Sequence, residues 1–385
     1  MADQAPETWA GIYIHIPFCQ SKCGYCSFVS YAGREKLVPD YLAALQKEID
    51  FYAHHPLLQH LHFQSLFIGG GTPTVLSGED LAQLVERVKH RFELSSDAEI
   101  SIECNPNTLT PDLLASLTKS GVNRLSIGVQ SFHDRILKKI GRIHTAKQAV
   151  AAIKSARENG FTNINLDLIC GLPGQGVADL QEDVSIATKL SPDHLSLYQL
   201  SVDPGTAFAG LDAQGKLALP SEDEVQDMTE FLEQQLSPFG YRRYEISNYA
   251  RPGRECRHNL VYWRNLPYLG LGCAAVSYLS GTRIRNSDDP DHYIRKLHNG
   301  EPAWIESEAL SRESSFRETV IMGLRLIDGI DLEDLQARFA IDACDYYRDI
   351  LPSLLAKELV RIENGRLRLS AKALPVANQI LAELV

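Results

Sequence analysis

The sequence predicts an α/β protein: a partial (β/α)6 TIM-like barrel followed by a C-terminal winged-helix-like α+β module. Three observations carry that expectation. From residue 11 to about 200, short β-branched runs alternate with longer amphipathic stretches. The alternation supplies six strand-like runs, which suit a partial barrel better than the closed eight-unit one. Beyond about residue 305, helix-like stretches precede LVRIENGRLRLS, whose Asn364-Gly365 is a two-residue hairpin signal.

Taken in order, GIYIHIPF is the first strand and VPDYLAALQKEIDFYAHH the first long amphipathic stretch. LHFQSLFIGG, AEISIEC, NRLSIGVQ, NINLDLIC and HLSLYQL follow as strands, separated by stretches such as EDLAQLVERVKHRF, PDLLASLTKSG and TAKQAVAAIKSAREN. Such repetition implies parallel strands with right-handed crossovers, and the active site of such folds lies at the C-terminal strand ends. Polar and small residues gather there. Cysteines follow strand one, GGGTPT follows strand two, Glu103 closes strand three, Gln130 follows strand four and Asp167 lies late in strand five. A glycine alone makes a turn and a lone end-of-strand carboxylate caps a helix, but five consecutive strands aiming chemistry at one rim indicate a site. These patterns divide the chain into a barrel over 1–245, an unusually aromatic connecting segment over 246–304, and the C-terminal module over 305–385.

Composition narrows the function classes. The 385 residues carry 38 basic and 49 acidic side chains, a net charge of −11, which disfavours broad contact with a nucleic acid. The helical part of the C-terminal module, LEDLQARFAIDACDYYRDILPSLL, lacks a basic recognition face, so packing or a partner contact is expected there. No run of about 18 apolar residues is present, so no transmembrane segment is expected, and MADQAPETWAG has neither a basic start nor an apolar signal core. The expected location is the cytoplasm, where the eight cysteines would be thiols or metal ligands. No sustained heptad sets the oligomeric state, and a homodimer is compatible with the sequence. Cys104, Cys170, Cys273 and Cys344 read as small buried hydrophobes, with Cys256 left open.

Cys19, Cys23 and Cys26 form CxxxCxxC. Zinc normally completes four ligands from paired knuckles, whereas this asymmetric triplet suits three corners of a cubane iron–sulfur cluster with one iron left open. Together with its place after a first strand and Tyr25 before the third cysteine, the motif resembles that of the radical S-adenosylmethionine superfamily. That resemblance implies a 4Fe-4S cluster whose open iron binds the methionine moiety of S-adenosylmethionine and cleaves it to a radical. GGGTPT looks like the family's glycine loop; without a Lys-Ser/Thr ending it is not a P-loop.

YIHIPFC, FIGGGTPT, SIECNPN, LSIGVQSF, the arginine of KKIGRIH and DLICGLPG occur in the order of the oxygen-independent coproporphyrinogen oxidase group. This likeness implies S-adenosylmethionine contacts at Tyr13, Tyr25, Gly70, Gly71, Thr72, Glu103, Gln130, Arg142 and Asp167. Two departures point away from the oxidase reaction. Phe28 stands where the oxidase has a further cysteine, and only about a dozen residues precede strand one where the oxidase has a long extension. CRHNLVYW instead resembles the HNxxYW haem motif of the HemW-type haem chaperones, matched by His258, Asn259, Tyr262 and Trp263. The resemblance implies haem binding with delivery to haem-receiving respiratory enzymes. His258 is then the expected iron ligand, Cys256 is either an alternative thiolate ligand or a structural thiol, and Arg254, Arg257 and Arg264 either meet the propionates or solvate the loop. The competing readings are a coproporphyrinogen dehydrogenase and a radical enzyme acting on tRNA, the latter disfavoured by the acidic balance.

Overall fold

The computed structural model describes residues 8–385. Residues 1–7, where the 1–245 unit and the reading of the N-terminus begin, lie outside the described residues. Six parallel strands follow one another in sequence order: β1 (Thr8–Ile16), β2 (Leu61–Gly70), β3 (Leu94–Cys104), β4 (Arg124–Gln130), β5 (Ile164–Cys170) and β6 (His194–Gln199). Helices cross between them, among them Val38–Ala53, Gly78–Arg91, Pro111–Ser120, Ala146–Glu158 and Val177–Leu190.

A period-2 pattern builds this layer. Ile12, Ile14, Ile16, Leu66, Ile68, Ile100, Ile102, Leu125, Ile127, Leu166 and Leu168 belong to one buried core with Leu81, Leu84, Val85, Leu114 and Leu117 of the helices. Their sequence neighbours Tyr13, Phe67, Glu103, Ser126, Asp167 and Ser196 face the other way and line an internal cavity. Alternation of side chains along a strand makes one face a packing surface and the other a chemical one. Three of these helices begin at side-chain caps: Ser77 accepts from the Asp80 N–H, Thr110 from Leu113, and Thr145 forms a capping box with Gln148. Each such cap is worth about 1 kcal/mol.

The segment 246–304, expected to stand between two units, instead extends the sheet at both edges. Asn248–Ala250 pairs antiparallel with β6, and Tyr268–Leu271 pairs parallel with the far side of β1. Val276–Leu279, Thr282–Asn286 and Trp304–Ala309 then continue antiparallel, and with Arg242–Arg243 pairing antiparallel outside Asn248–Ala250 the sheet has twelve strands. The short turns between Leu271 and Val276 and between Leu279 and Thr282 allow only antiparallel pairing, since a parallel return needs a crossover, whereas Trp304–Ala309 returns antiparallel after the Pro290–His298 helix.

The C-terminal unit has its own core, including Phe316, Val320, Leu335, Leu354, Leu367 and Ile380. Its hairpin joins Val360–Glu363 to Arg366–Leu369 through Asn364 and Gly365, both at positive φ (52° and 73°) as a tight primed turn requires. Cys344 departs from expectation: it is exposed on the short Ala343–Tyr346 helix, where Ala343 takes the buried position. Among the described residues no helix is long and apolar enough to cross a membrane.

Candidate functional site

The cysteine loop leaves the C-terminal end of β1 and is held from several sides. Tyr31 N–H donates to Pro17 O at 2.7 Å, Gly24 N–H to Ile140 O at 3.1 Å, and Lys22 Nζ to the carbonyls of Phe28 and Ser30 at 3.2 and 3.3 Å. Gly24 must be glycine, because a Cβ there would lie 2.5 Å from the Phe208 ring. Cys19, Cys23 and Cys26 all line the cavity as free thiols, and burial raises the pKa of Cys19 and Cys26.

The glycine loop after β2 packs against this one. A Cβ on Gly71 would sit 2.6 Å from Phe18 O and 3.0 Å from Cys19 Sγ; Thr72 donates its hydroxyl to Cys19 Sγ at 3.6 Å. Gly70 takes φ +111°, and a Cβ there would press on the His15 ring at 2.6 Å. His15 bonds Tyr13 OH through Nδ1 (2.9 Å) and Val29 O through Nε2 (2.8 Å), tying the cysteine loop to β1.

Two carboxylates line the same cavity. Glu103 accepts from Gly70 N–H at 3.1 Å, and burial, reinforced by Asp167, pushes its pKa up to about 8. Asp167, also raised by burial, accepts from Asn165 Nδ2 at 2.7 Å and Ser126 Oγ at 3.2 Å. Arg142 reaches Gly128 O, Asn105 Oδ1 (2.7 Å) and Cys23 Sγ (3.7 Å). Tyr25 lines the cavity beside the cysteines. Gln130 holds a left-handed φ of 69°, and its buried Oε1 has no partner; nor does Arg142 Nε.

These features fit the group that the cysteine motif implies. Three thiols, a glycine wall without Cβ atoms and orphaned polar atoms facing one cavity are what a cluster with a polar small-molecule ligand requires. Among the described residues no three His, Cys, Asp or Glu side chains converge on a single-ion shell. Corners of a cubane are spread more widely than ligands of one zinc ion.

The aromatic segment enters the same cavity from the other end. Its helix, Arg257–Trp263, is anchored by Glu99, which accepts from the Arg257 and His258 N–H groups (3.2 and 3.3 Å) and from Cys256 Sγ (3.4 Å). His258 is 1% exposed and stacks on Phe67 with ring centroids 5.2 Å apart. Its Nδ1 bonds Ser65 Oγ and its Nε2 bonds Tyr262 OH, both at 2.9 Å. Burial first, and the Arg124 charge second, lower its pKa to about 3, so the ring is neutral. Gly11 leaves room for it, since a Cβ there would lie 3.0 Å from Nδ1.

His258, Asn259 and Tyr262 line the cavity of about 670 Å³; Trp263 does not, and carries the Arg325 guanidinium 4.7 Å over its ring instead. Cys256 is a buried thiol with its pKa raised to about 12, which leaves it a donor to Glu99. Arg254, Arg257 and Arg264 do not line the cavity, and Arg257 pairs with Asp97 at 2.9 Å, which agrees with the loop-solvating alternative rather than with propionate contact. Sequence reasoning missed His15, Glu99, Asn105, Arg124 and Tyr198. Glu99, Arg124 and Tyr198 sit at polar alternate positions of EISIE, RLSIGVQ and HLSLYQ, a pattern that marks the non-core face of a strand but not the role of a residue on it.

Comparison with known proteins adds three findings. The pattern of the radical SAM superfamily matches residues 13–187, and that of the HemN C-terminal domain matches residues 310–376. The chain is 36% identical to the Heme chaperone HemW of Bacillus subtilis, covering 96% of this chain and 97% of the relative. It is 42% identical to that of Escherichia coli over 72% of each. The crystal structure of coproporphyrinogen III oxidase (HemN) from Escherichia coli, a radical SAM enzyme, is similar with TM-score 0.85 at 30% identity, over 99% of this chain and 91% of that one.

Proposed function

Because the chain belongs to the HemW heme chaperones of the radical SAM superfamily, we propose that it binds haem and delivers it to haem-dependent respiratory enzymes. One observation carries the reading most directly: a single cavity joins the cysteine loop to the His258 helix.

Cys19, Cys23 and Cys26 would hold a 4Fe-4S cluster at three corners, leaving one iron to S-adenosylmethionine. Bound together, the two groups supply one-electron chemistry. The protein's part is to position and neutralise. Tyr13, Tyr25, Gly70, Gly71 and Thr72 shape the cradle, with Gln130 Oε1 an acceptor still without a donor. Arg142, beside Cys23, suits the methionine carboxylate. Glu103, with a pKa of about 8, keeps a proton at neutral pH and can therefore donate to a ligand hydroxyl, while Asp167 accepts. His258, Asn259 and Tyr262 present the haem motif to the opposite part of the cavity. Eight unpaired thiols suit a reducing compartment, consistent with a cytoplasmic carrier.

The second reading, an oxygen-independent coproporphyrinogen III dehydrogenase, is favoured by the similarity to the oxidase structure. Phe28 weighs against it. Where the oxidase-type motif places a further cysteine, this chain presents a phenyl ring, 66% exposed, at the edge of the cavity. Anaerobic reconstitution followed by haem titration and a coproporphyrinogen turnover assay separates the two. The carrier reading expects stoichiometric haem uptake with no porphyrinogen consumed; robust decarboxylation would overturn it.

A further inference from the structure

The cavity contains a second guanidinium that the proposed cofactor contacts do not use. Arg124 is the first residue of β4, at the opposite strand end from Gln130, and is 2% exposed. It lines the cavity, yet its Nε is buried without a partner and its guanidinium makes no hydrogen bond to another described residue. The nearest carboxylate oxygen, Glu99 Oε2, stands 4.0 Å from Nε. Glu99 is already committed to Cys256 Sγ and to the Arg257 and His258 N–H groups. Asp167 is committed to Asn165 and Ser126.

An arginine cannot shed its proton in a protein, and a buried charge without hydrogen-bond acceptors is strongly unfavourable. The guanidinium of an arginine that lines a cavity is a planar fork of donors, matched to a carboxylate in two-point contact. Glu103 keeps its proton at neutral pH, so the interior carries less negative charge than its carboxyl count suggests.

Position then distinguishes the two carboxylate-bearing ligands. Arg142 stands at the cysteine loop, where the methionine carboxylate belongs. Arg124 stands beside Glu99, which anchors the helix carrying His258 and Tyr262. We propose that Arg124 is the carboxylate-binding residue of the inner end of the cavity and receives a haem propionate. The inference rests on the haem reading above.

The test titrates haem and haem dimethyl ester, whose propionates are both blocked, into wild-type protein, Arg124→Gln and Arg124→Lys, with a parallel S-adenosylmethionine titration of the reconstituted protein. Wild type should favour haem over the diester by roughly tenfold or more. Arg124→Gln should erase most of that preference by weakening haem alone, and Arg124→Lys should retain part of it. Equal weakening of haem and diester would mean that Arg124 only supports Glu99 and its helix, and would overturn the proposal, as would unchanged affinities. A loss confined to S-adenosylmethionine would assign the carboxylate to the methionine moiety and overturn it too. If Arg124→Gln does not fold, the wild-type preference and its partial loss in Arg124→Lys decide the matter. Wild-type protein that binds neither porphyrin would sink the haem reading itself, and this inference with it.

Discussion

His258 has both ring nitrogens engaged, by Ser65 and by Tyr262, and to ligate iron it must surrender one of them. Nε2 is the one to give up, because its partner lines the cavity. Tyr262→Phe keeps the ring and removes the competing hydroxyl, so it should preserve or tighten haem binding if His258 is the ligand, as read from the Soret band. A collapse of binding in that variant would shift the iron contact to the phenol oxygen. His258→Ala strands Ser65 and Tyr262 and opens a void, and should lower stability by about 2–4 kcal/mol in denaturant unfolding. Gly70→Ala combines a positive φ with a Cβ against His15. It should lower stability by about 1–3 kcal/mol and weaken S-adenosylmethionine binding in equilibrium titration, while Gly33→Ala, with open space around its Cβ, should show only the backbone cost. At this scale the cysteines and glycines were legible because their chemistry is local. Arg124 and Glu99 were not, because a charged residue in a strand declares its role only when its neighbours across the sheet are known.

Elements meet through buried polar groups as much as through apolar packing. Glu48, on the Val38–Ala53 helix, accepts from Gly272 N–H (2.7 Å), Asn286 Nδ2 (2.7 Å) and Tyr293 OH (2.6 Å). It thereby fastens that helix to the added edge of the sheet. Burial raises its pKa from 4.5 to about 7 despite those donors. The folded state therefore holds the proton more tightly than the unfolded chain. Its stabilising contribution is complete below about pH 4.5 and is lost as pH rises through about 7, a change of about 3 kcal/mol. Unfolding of wild type and Glu48→Gln at about pH 5 and about pH 8 should show the wild type losing stability relative to the variant on the alkaline side. A constant difference between them would contradict the assigned shift. Strand and helix identities here followed from periodicity, and the Asn364-Gly365 turn from its dipeptide. The placing of Tyr268–Leu271 beside β1 did not, since a four-residue run has no pattern that selects an edge.

Across the whole molecule, the C-terminal unit grips the residues that follow the haem-motif helix. Asn265 Nδ2 donates to Thr319 Oγ1 at 2.9 Å, and Arg338 donates to the carbonyls of Arg264 and Asn265 at 3.1 Å each. Arg325 covers Trp263 from the same side. The motif is thus divided between two jobs: His258, Asn259 and Tyr262 face the cavity, and Trp263 faces the C-terminal unit. Arg338→Ala removes two hydrogen bonds from a charged donor and should cost about 2–3 kcal/mol of stability. Limited proteolysis should then cut faster near residues 305–312, between the two cores. Undisturbed proteolysis would mean that the docking does not depend on this contact.

The sequence by itself determined the six parallel strands, the cysteine and glycine loops at their C-terminal ends, the terminal hairpin and the family motifs. All of these are written in local spacing: a period of two, a period of 3.6, a turn dipeptide or a ligand triplet. Only the tertiary structure decided that the haem-motif helix enters the barrel opposite the cysteine loop, that Glu99 anchors it, and that Arg124 faces the cavity unpaired. The Arg124 charge is not isolated there, since Glu99 Oε2 stands 4.0 Å from its Nε; what that Nε lacks is a hydrogen bond, and all these facts depend on which distant segments meet across the sheet. Glu99 and His258 are separated by 159 residues, and no local pattern encodes a hydrogen bond over that distance.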